Sequence, residues 1–264
     1  MSDRQSASFV SYRREGRVGV VTLHRPEALN AVSTAGAREL ATLVNEIAAD
    51  RDVWAVLLTG EGDRAFCVGA DLKERAAFDL DDYHANRVHM RAMFAAVRAL
   101  PQPSIAAIFG FTLGGGLELA LSCDLIVAAD DSVIGLPEVT VGLVPAGGAT
   151  QLLPRRIGTA KAKDMIFTGE RLSARQAEMS GLISRVVARS VLDDAALSLA
   201  EHICRSSPVA VREAKRAIDA APGAPLEEGL EIENDAWRAT VSSADRVEGV
   251  AAFNERREPR WSNT

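Results

Sequence analysis

Three glycines and a glutamate form the segment best suited to chemistry, Gly114-Gly115-Gly116-Leu117-Glu118. The apolar run 104–109 before it predicts a buried strand, and residues 117–122 predict a helix after it. Free N–H groups at a helix N-terminus stabilise a developing negative charge, and glycine lets a ligand approach them closely. Such groups are half of an oxyanion hole, and Glu118, at i+3 from Gly115, can face the same side. Close-packed glycines beside a solvated Glu118 would explain the segment equally well.

A second carboxylate, Glu138, follows Leu136-Pro137 and precedes the apolar segment 139–143. Two acids in apolar surroundings can have separated pKa values and can divide general-acid and general-base duties. Taken by itself, Glu138 is more simply interpreted as an acid in a surface turn.

The segment Cys67-Val68-Gly69-Ala70-Asp71-Leu72-Lys73 could supply a second free amide. A glycine followed by a small residue exposes the backbone N–H of Ala70, a candidate for the other half of the hole. The simpler interpretation of this segment is a loop in which Asp71 caps a helix.

Together and in this order, the three segments resemble the crotonase (enoyl-CoA hydratase/isomerase) family, and the resemblance covers essentially the whole chain. The ordered set is far more specific than any single piece. The other segments that carry it are Arg25-Pro26-Glu27-Ala28-Leu29-Asn30-Ala31, Cys123-Asp124-Leu125, Gly142-Leu143-Val144-Pro145, Thr168-Gly169-Glu170 with Ala174, Ser207-Pro208-Val209-Ala210-Val211 and Glu248-Gly249-Val250-Ala251-Ala252-Phe253.

The resemblance implies an α/β fold, the crotonase (ClpP-like) spiral of ββα units with two nearly perpendicular sheets and a helical C-terminal region. It divides the chain into a spiral core, residues 1–200, and a helical trimerisation subdomain, residues 201–264. It also implies homotrimers, often stacked in pairs as hexamers, and a CoA thioester substrate of the kind used in fatty acid metabolism.

The resemblance also implies the roles of individual residues. Ala70 and Gly115 would donate the two N–H groups of the oxyanion hole, and the segment Ala70, Asp71, Leu72 and Lys73 would lie along the bound CoA. Glu118 and Glu138 occupy both glutamate positions of the hydratases, which predicts syn addition of water to a trans-2-enoyl-CoA, giving a 3-hydroxyacyl-CoA. No metal and no redox cofactor is expected, since CoA enters as part of the substrate.

Two kinds of alternative remain open at the level of sequence. The same scaffold could carry Δ3,Δ2-enoyl-CoA isomerisation or another acyl-CoA lyase reaction, although isomerisation needs only one carboxylate and this chain has two. A family member that binds RNA without catalysis is the other alternative, and the net charge of −6 disfavours it.

The loop Ala146-Gly147-Gly148-Ala149-Thr150-Gln151 departs from the family pattern Gly-Ala-Gly-Gly-Thr-Gln. Ala146 and Ala149 replace glycines near the glutamates. Each added methyl group is therefore expected to narrow the site.

Composition and cysteine usage indicate the class of protein. The chain has 264 residues, 47% of them hydrophobic and 25% charged, as in globular enzymes. Its longest apolar runs are too short to span a bilayer, and the first residues lack the apolar core of a secretory signal. Cys67 and Cys123 lie in apolar stretches, which predicts buried, inert thiols. These observations predict a soluble, cytoplasmic protein with no nucleic-acid or membrane partner.

Hydrophobic periodicity predicts the elements that must position these residues. A hairpin over 9–23 and a helix capped at Ser33 or Thr34 come first. The helix over 79–99 is expected to bury Tyr83 with Met90, Met93, Phe94 and Val97. The remaining predicted strands are 53–58, 104–109, 125–128, 133–135 and 184–187, and the remaining predicted helices are 117–122, 159–167, 173–179, 191–204, 208–220, 226–240 and 244–257.

Overall fold

A computed structural model describes residues 8–264. Within this range the strands are β1 (Val10–Glu15), β2 (Val18–Leu23), β3 (Ala55–Gly60), β4 (Ala65–Cys67), β5 (Ser104–Ile108), β6 (Phe111–Leu113), β7 (Leu125–Ala129), β8 (Val133–Gly135), β9 (Arg171–Ser173) and β10 (Arg185–Val187). The α-helices are α1 (Thr34–Ala49), α2 (Leu72–Arg75), α3 (Leu80–Arg98), α4 (Gly115–Leu121), α5 (Ala149–Ile157), α6 (Thr159–Thr168), α7 (Ala174–Met179), α8 (Leu192–Ile203), α9 (Pro208–Ala220), α10 (Leu226–Val241) and α11 (Ala244–Glu255).

The strands form two sheets, as the resemblance implied. One has the order β1-β2-β3-β5-β7-β10 and the other β4-β6-β8-β9. Pairing is parallel except for the β1–β2 hairpin and the β8–β9 pair. Successive strand pairs, β3–β4, β5–β6 and β7–β8, place their first strand in the large sheet and their second in the small one, and helices follow each pair. The predicted spiral of ββα units is therefore confirmed.

Parallel strands buried on both faces make up the core of the large sheet. Every residue of β5 is buried, as expected for a parallel sheet covered by helices on both sides. The predicted hairpin is confirmed by the antiparallel pairing of β1 and β2. The predicted helix cap is also confirmed, because Ser33 accepts a hydrogen bond from the Gly36 amide at the start of α1. The helix predicted over 79–99 is α3, and Asp79 and Asp82 form its capping box.

The predicted burial of Tyr83 is wrong. Met90, Met93, Phe94 and Val97 of α3 are buried, but Tyr83 is 38% exposed. The Tyr83 ring meets Phe78, in the segment between α2 and α3, edge to face at 5.5 Å between centroids, and the Arg75 guanidinium of α2 lies 5.9 Å from the ring centroid.

Four short elements were not predicted. The strands β4, β6 and β9 have three residues each, too few to show an alternating pattern. Helix α5 contains Pro154, which normally ends or breaks a helix. Here Pro154 lies only at the sixth position of a nine-residue helix, so most of the helix precedes it.

The cysteine prediction is confirmed. Cys67 and Cys123 are buried, and Cys204 is partly buried. Burial raises the pKa of Cys67 and of Cys123 to about 12, so neither thiol ionises readily at neutral pH.

The chain after residue 200 is helical within the described range. Helix α8 packs its buried residues Leu192, Ala196 and Ala200 on the core and ends at Ile203, and α9 to α11 follow. The division at residue 200 and the trimerisation role of residues 201–264 stay predictions. Within residues 8–264, no helix is both long enough and apolar enough to cross a membrane.

Candidate active site

The glycine segment is folded tightly against the loop after β4. Gly114 has a positive φ of 53°, a conformation that favours glycine, and its N–H donates to the carbonyl oxygen of Gly135. A Cβ atom on Gly116 would lie 2.0 Å from the carbonyl oxygen of Cys67. Only glycine allows this approach, which brings the start of α4 beside Ala70.

The amides of Ala70 and Gly115 are neighbours at this junction. A Cβ atom built on Gly115 would lie 3.7 Å from the Ala70 nitrogen. Two backbone hydrogen bonds hold the Ala70 segment to the start of α1, from Asp71 to the Val32 oxygen and from Val32 to the Gly69 oxygen. Neither the Ala70 nor the Gly115 amide donates to an acceptor within the described residues. Neither amide is therefore occupied by an acceptor from residues 8–264.

Glu118 is buried, with 3% of its surface exposed, and is held by the N-terminus of α5. Its Oε1 accepts hydrogen bonds from the amides of Gly147 (2.6 Å), Gly148 (3.0 Å) and Ala149 (3.0 Å). The guanidinium of Arg98 donates to the Gly147 oxygen at 3.0 Å and so supports this loop. All three bonds go to Oε1, and Oε2 has no hydrogen-bond donor among the described residues.

Glu138 has the opposite environment. It lies in the 3₁₀ turn Pro137–Val141, and its Oε2 is buried without a partner among the described residues. Burial raises the pKa of Glu138 to about 7, and the negative charge of Glu118 adds to this rise against the opposing effect of the residue's own backbone. The two carboxylates therefore lie in different environments: Glu138 has a raised pKa and a buried oxygen without a partner, whereas Glu118 accepts three amide hydrogen bonds.

A cavity of about 490 Å³ joins these groups. Ala70, Gly115, Glu118 and Glu138 all line it. Its other walls are largely apolar and come from α2, α3 and the segment 137–147, with Val68, Leu72, Met90, Phe94, Val141, Leu143 and Val144. The structure therefore brings the four central predicted residues to one cavity large enough for an acyl group.

The other predicted CoA-binding residues, Asp71, Leu72 and Lys73, differ in burial and in their position relative to the cavity. The Asp71 side chain is buried, accepts from the amides of Lys73 and Glu74 as the cap of α2, and lies 2.6 Å from the Arg25 guanidinium. Burial raises the pKa of Asp71, but Arg25 and the two amides outweigh it and hold the pKa below its ordinary value. Leu72 is 59% exposed and lines the cavity, whereas Lys73 is exposed and lies outside its lining.

The two alanines of the loop after Pro145 have different surroundings. Ala146 is exposed and lines the cavity, and narrowing of the site by its methyl group stays a prediction. Ala149 is fully buried in the hydrophobic core, so the expectation for this residue is wrong. A Cβ atom on Gly147 would lie 2.5 Å from the Phe94 ring, which occupies the space that a side chain there would need.

Sequence reasoning missed several polar residues of the cavity. Tyr83, Asn86 and Arg87 line it from α3, and Arg75 lines it from α2. A signal exists, since Tyr83, Arg87, Met90 and Phe94 recur at i, i+4, i+7 and i+11 and so share one helix face.

Comparison with known proteins agrees with this fold and site. The model of the family "Enoyl-CoA hydratase/isomerase" matches residues 13–264, so the chain belongs to the enoyl-CoA hydratase/isomerase family. The chain is similar to the human enoyl-CoA hydratase domain-containing protein 2, mitochondrial, with 41% identity over 245 residues, 91% of this chain and 84% of that protein.

Solved structures give the same result. The enoyl-CoA hydratase of Bacillus anthracis superposes with a TM-score of 0.95 at 39% identity, covering 97% of this chain and 100% of that one. An enoyl-CoA hydratase from Mycobacterium tuberculosis superposes with a TM-score of 0.90 at 37% identity and the same coverage.

Proposed function

We propose that this protein is an enoyl-CoA hydratase that adds water to the double bond of a trans-2-enoyl-CoA and forms a 3-hydroxyacyl-CoA. The observation that carries the proposal is the pair Glu118 and Glu138, two carboxylates with opposite environments at one cavity beside two free amides. The names of the similar proteins support the same reaction.

In the proposed reaction, the thioester oxygen accepts hydrogen bonds from the amides of Ala70 and Gly115. As the oxygen of water bonds to C3, the electrons of the double bond move toward the thioester and produce an enolate oxygen. The two amides stabilise that charge, and loss of one such donor typically costs on the order of 3 kcal/mol in the transition state. Neither amide donates to an acceptor in residues 8–264, so no hydrogen bond within that range must break before they meet the substrate.

The two carboxylates divide the proton transfers. Glu118 accepts a proton from the attacking water at its free Oε2, and protonated Glu138 delivers a proton to C2. Hydrogen and hydroxyl are proposed to be added to the same face of the double bond, which is syn addition. The next water, held between the two carboxylates, returns the proton from Glu118 to Glu138.

The CoA part of the substrate is proposed to lie along residues 70–73. Leu72 lines the mouth of the cavity, and Lys73 is exposed beyond it, where its ammonium group can reach a phosphate. The buried Asp71 side chain holds this segment in place through its bonds to α2 and Arg25. The proposal involves no metal ion or redox cofactor.

The decisive experiment follows the loss of the conjugated enoyl-thioester absorbance with purified protein and crotonyl-CoA. Glu118→Gln and Glu138→Gln are each expected to lower kcat by roughly 10²- to 10⁴-fold, because general acid–base catalysis contributes about that much. Glu201→Gln, an exposed glutamate on α8 outside the cavity lining, is the matched control and is expected to retain parental kcat.

One result would overturn the hydratase proposal, and another would overturn its paired mechanism. No absorbance loss with crotonyl-CoA or a longer 2-enoyl-CoA would do so, and conversion of a 3-enoyl-CoA to its 2-isomer would then identify an isomerase. A loss that needs only one of the two glutamates would also exclude the paired mechanism.

The C-terminal helices support a proposed homotrimer or a hexamer made of two trimers. They expose apolar side chains that a monomer would leave in water, among them Trp237 at 61% and Phe253 at 84% exposure. Other exposed apolar residues of α9 to α11 are Ile218, Leu226, Leu230, Val247 and Val250. Light scattering on the purified protein tests this, and a monomer at micromolar concentration would contradict it.

A further inference from the structure

Three arginines, Arg75, Arg87 and Arg91, form a cationic group beside the main cavity. Arg75 and Arg87 line the main cavity. Arg87 and Arg91 line a second cavity of about 320 Å³, which shares Arg87, Phe94, Ala146 and Gly147 with the first. Arg87 therefore stands where the two cavities adjoin.

This arginine group has no carboxylate partner in the described part of the chain. None of the three side chains lies within 4.0 Å of an Asp or Glu oxygen there. Arg75 donates from Nη2 to the Asn86 side chain at 3.0 Å, and its buried Nε has no acceptor. A buried donor without an acceptor costs free energy, so an anion that repositions this side chain to pair its donors would be favoured.

The group is also electrostatically unbalanced. Burial and the charge of Arg91 lower the pKa of Arg87, the charge of Glu118 opposes them, and the charge of Arg75 lowers the pKa further. Arg87 and Arg91 are four residues apart on α3, a spacing at which like charges repel. An anion bound between them would relieve this repulsion.

An acyl-CoA could present two anionic parts to these arginines, the phosphates of CoA or a carboxylate at the end of the acyl chain. The position of Arg87 distinguishes between them. In the proposed complex, C1 lies at the Ala70 and Gly115 amides and C3 lies between the glutamates. CoA leaves along residues 70–73, with Lys73 at the exposed end. Arg87 lies on the same face of α3 as Met90 and Phe94, and the second cavity that it lines includes none of residues 70–73. We therefore place Arg87 on the side of the acyl tail.

The geometry points to a substrate whose short acyl chain ends in a carboxylate, bound by Arg87 with Arg91 and Arg75 beside it. This inference rests on the proposed hydratase function and names the substrate class for that site. The guanidinium of Arg87 binds the terminal carboxylate through charge-assisted hydrogen bonds. The apolar walls around Met90 and Phe94 hold the intervening carbons.

The test compares two five-carbon substrates that differ only at the terminal group. trans-2-Pentenoyl-CoA ends in a methyl group, and glutaconyl-CoA ends in a carboxylate. The parent is expected to favour glutaconyl-CoA in kcat/KM by roughly 10- to 100-fold, the value of one charge-assisted contact. Arg87→Gln is expected to remove most of that preference. Arg175→Gln, an exposed arginine on α7 outside both cavities, is the matched control and should keep the parental ratio.

A binding measurement separates failure of this inference from failure of the proposed function. Saturated glutaryl-CoA and pentanoyl-CoA cannot be hydrated, so calorimetric binding of the pair reports recognition without chemistry. Tighter binding of glutaryl-CoA, lost in Arg87→Gln, would support the inference even if no hydration occurred. Equal binding of the two by the parent would overturn it. Equal weakening of both by Arg87→Gln would also overturn it, because the arginine would then serve the CoA phosphates.

Discussion

Replacing Glu138 by Gln is expected to stabilise the folded protein above neutral pH while it removes catalysis. Burial and the charge of Glu118 raise the pKa of Glu138 from its ordinary 4.5 to about 7. The folded state therefore holds this proton more tightly than the unfolded state. The resulting stability is fully present below about pH 4.5 and is lost as the pH rises through about 7.

The size of the effect follows from the same values. At about 1.4 kcal/mol for each pH unit, the full loss is about 3 kcal/mol. Glu138 is only partly buried, and solvent screening reduces this to about 1 to 2 kcal/mol. The side-chain amide introduced by Glu138→Gln cannot ionise, so the variant avoids the loss.

Urea unfolding of the parent and of Glu138→Gln measures this directly. The three tryptophans supply the fluorescence signal, and the protein concentration is kept constant because assembly would shift the midpoint. Between about pH 5 and pH 8, the difference in unfolding free energy should grow in favour of the variant by about 1 to 2 kcal/mol. The control Glu201→Gln should show no such trend. A difference that stays constant with pH, or that grows in favour of the parent, would refute the reasoning.

Three further outcomes are expected. The kcat/KM for enoyl-CoA should fall as the pH rises through about 7, because Glu138 then loses the proton that it delivers; a profile flat to pH 9 would contradict this. Gly147→Ala should lower the unfolding free energy by about 1 to 3 kcal/mol and slow turnover, since its Cβ atom would lie 2.5 Å from the Phe94 ring and 2.7 Å from Glu118 Oε2. Adding Phe94→Leu to Gly147→Ala should relieve the loss of stability. If Gly147→Ala alone were as stable as the parent, the loop would have to shift without cost in free energy. Asp71→Ala should cost about 2 to 3 kcal/mol in urea unfolding, through the lost helix cap and ion pair, and a cost under about 0.5 kcal/mol would contradict that role.

Local patterns were sufficient to predict much of the fold. The hairpin β1–β2, the capped helix α1 and the helix α3 each carry their own signal in a short stretch of sequence. Apolar surroundings alone predicted the burial of Cys67 and Cys123. These features depend on neighbours in sequence, so periodicity, capping residues and turn residues are enough to find them.

The candidate site was only partly predictable. The resemblance selected Ala70, Gly115, Glu118 and Glu138, and the structure places all four at one cavity. Their catalytic roles stay predictions. Neither the strands β4 and β6 nor the helix α5 was predicted, yet these elements bring the segments together.

The sequence by itself indicated which residues could do chemistry, because the order of the glycine segments and the two acids along the chain resembles the family even though each segment alone is ambiguous. Only the tertiary structure decided how their environments differ. Oε1 of Glu118 accepts hydrogen bonds from three amides at the N-terminus of α5, 29 to 31 residues later in the chain. Glu138 instead has a buried oxygen without a partner among the described residues. The same is true of the approach of Arg75 to Arg87 and of the burial of Ala149 away from the cavity. Desolvation, charge pairing and hydrogen bonding depend on distances in space, which chain separation does not specify.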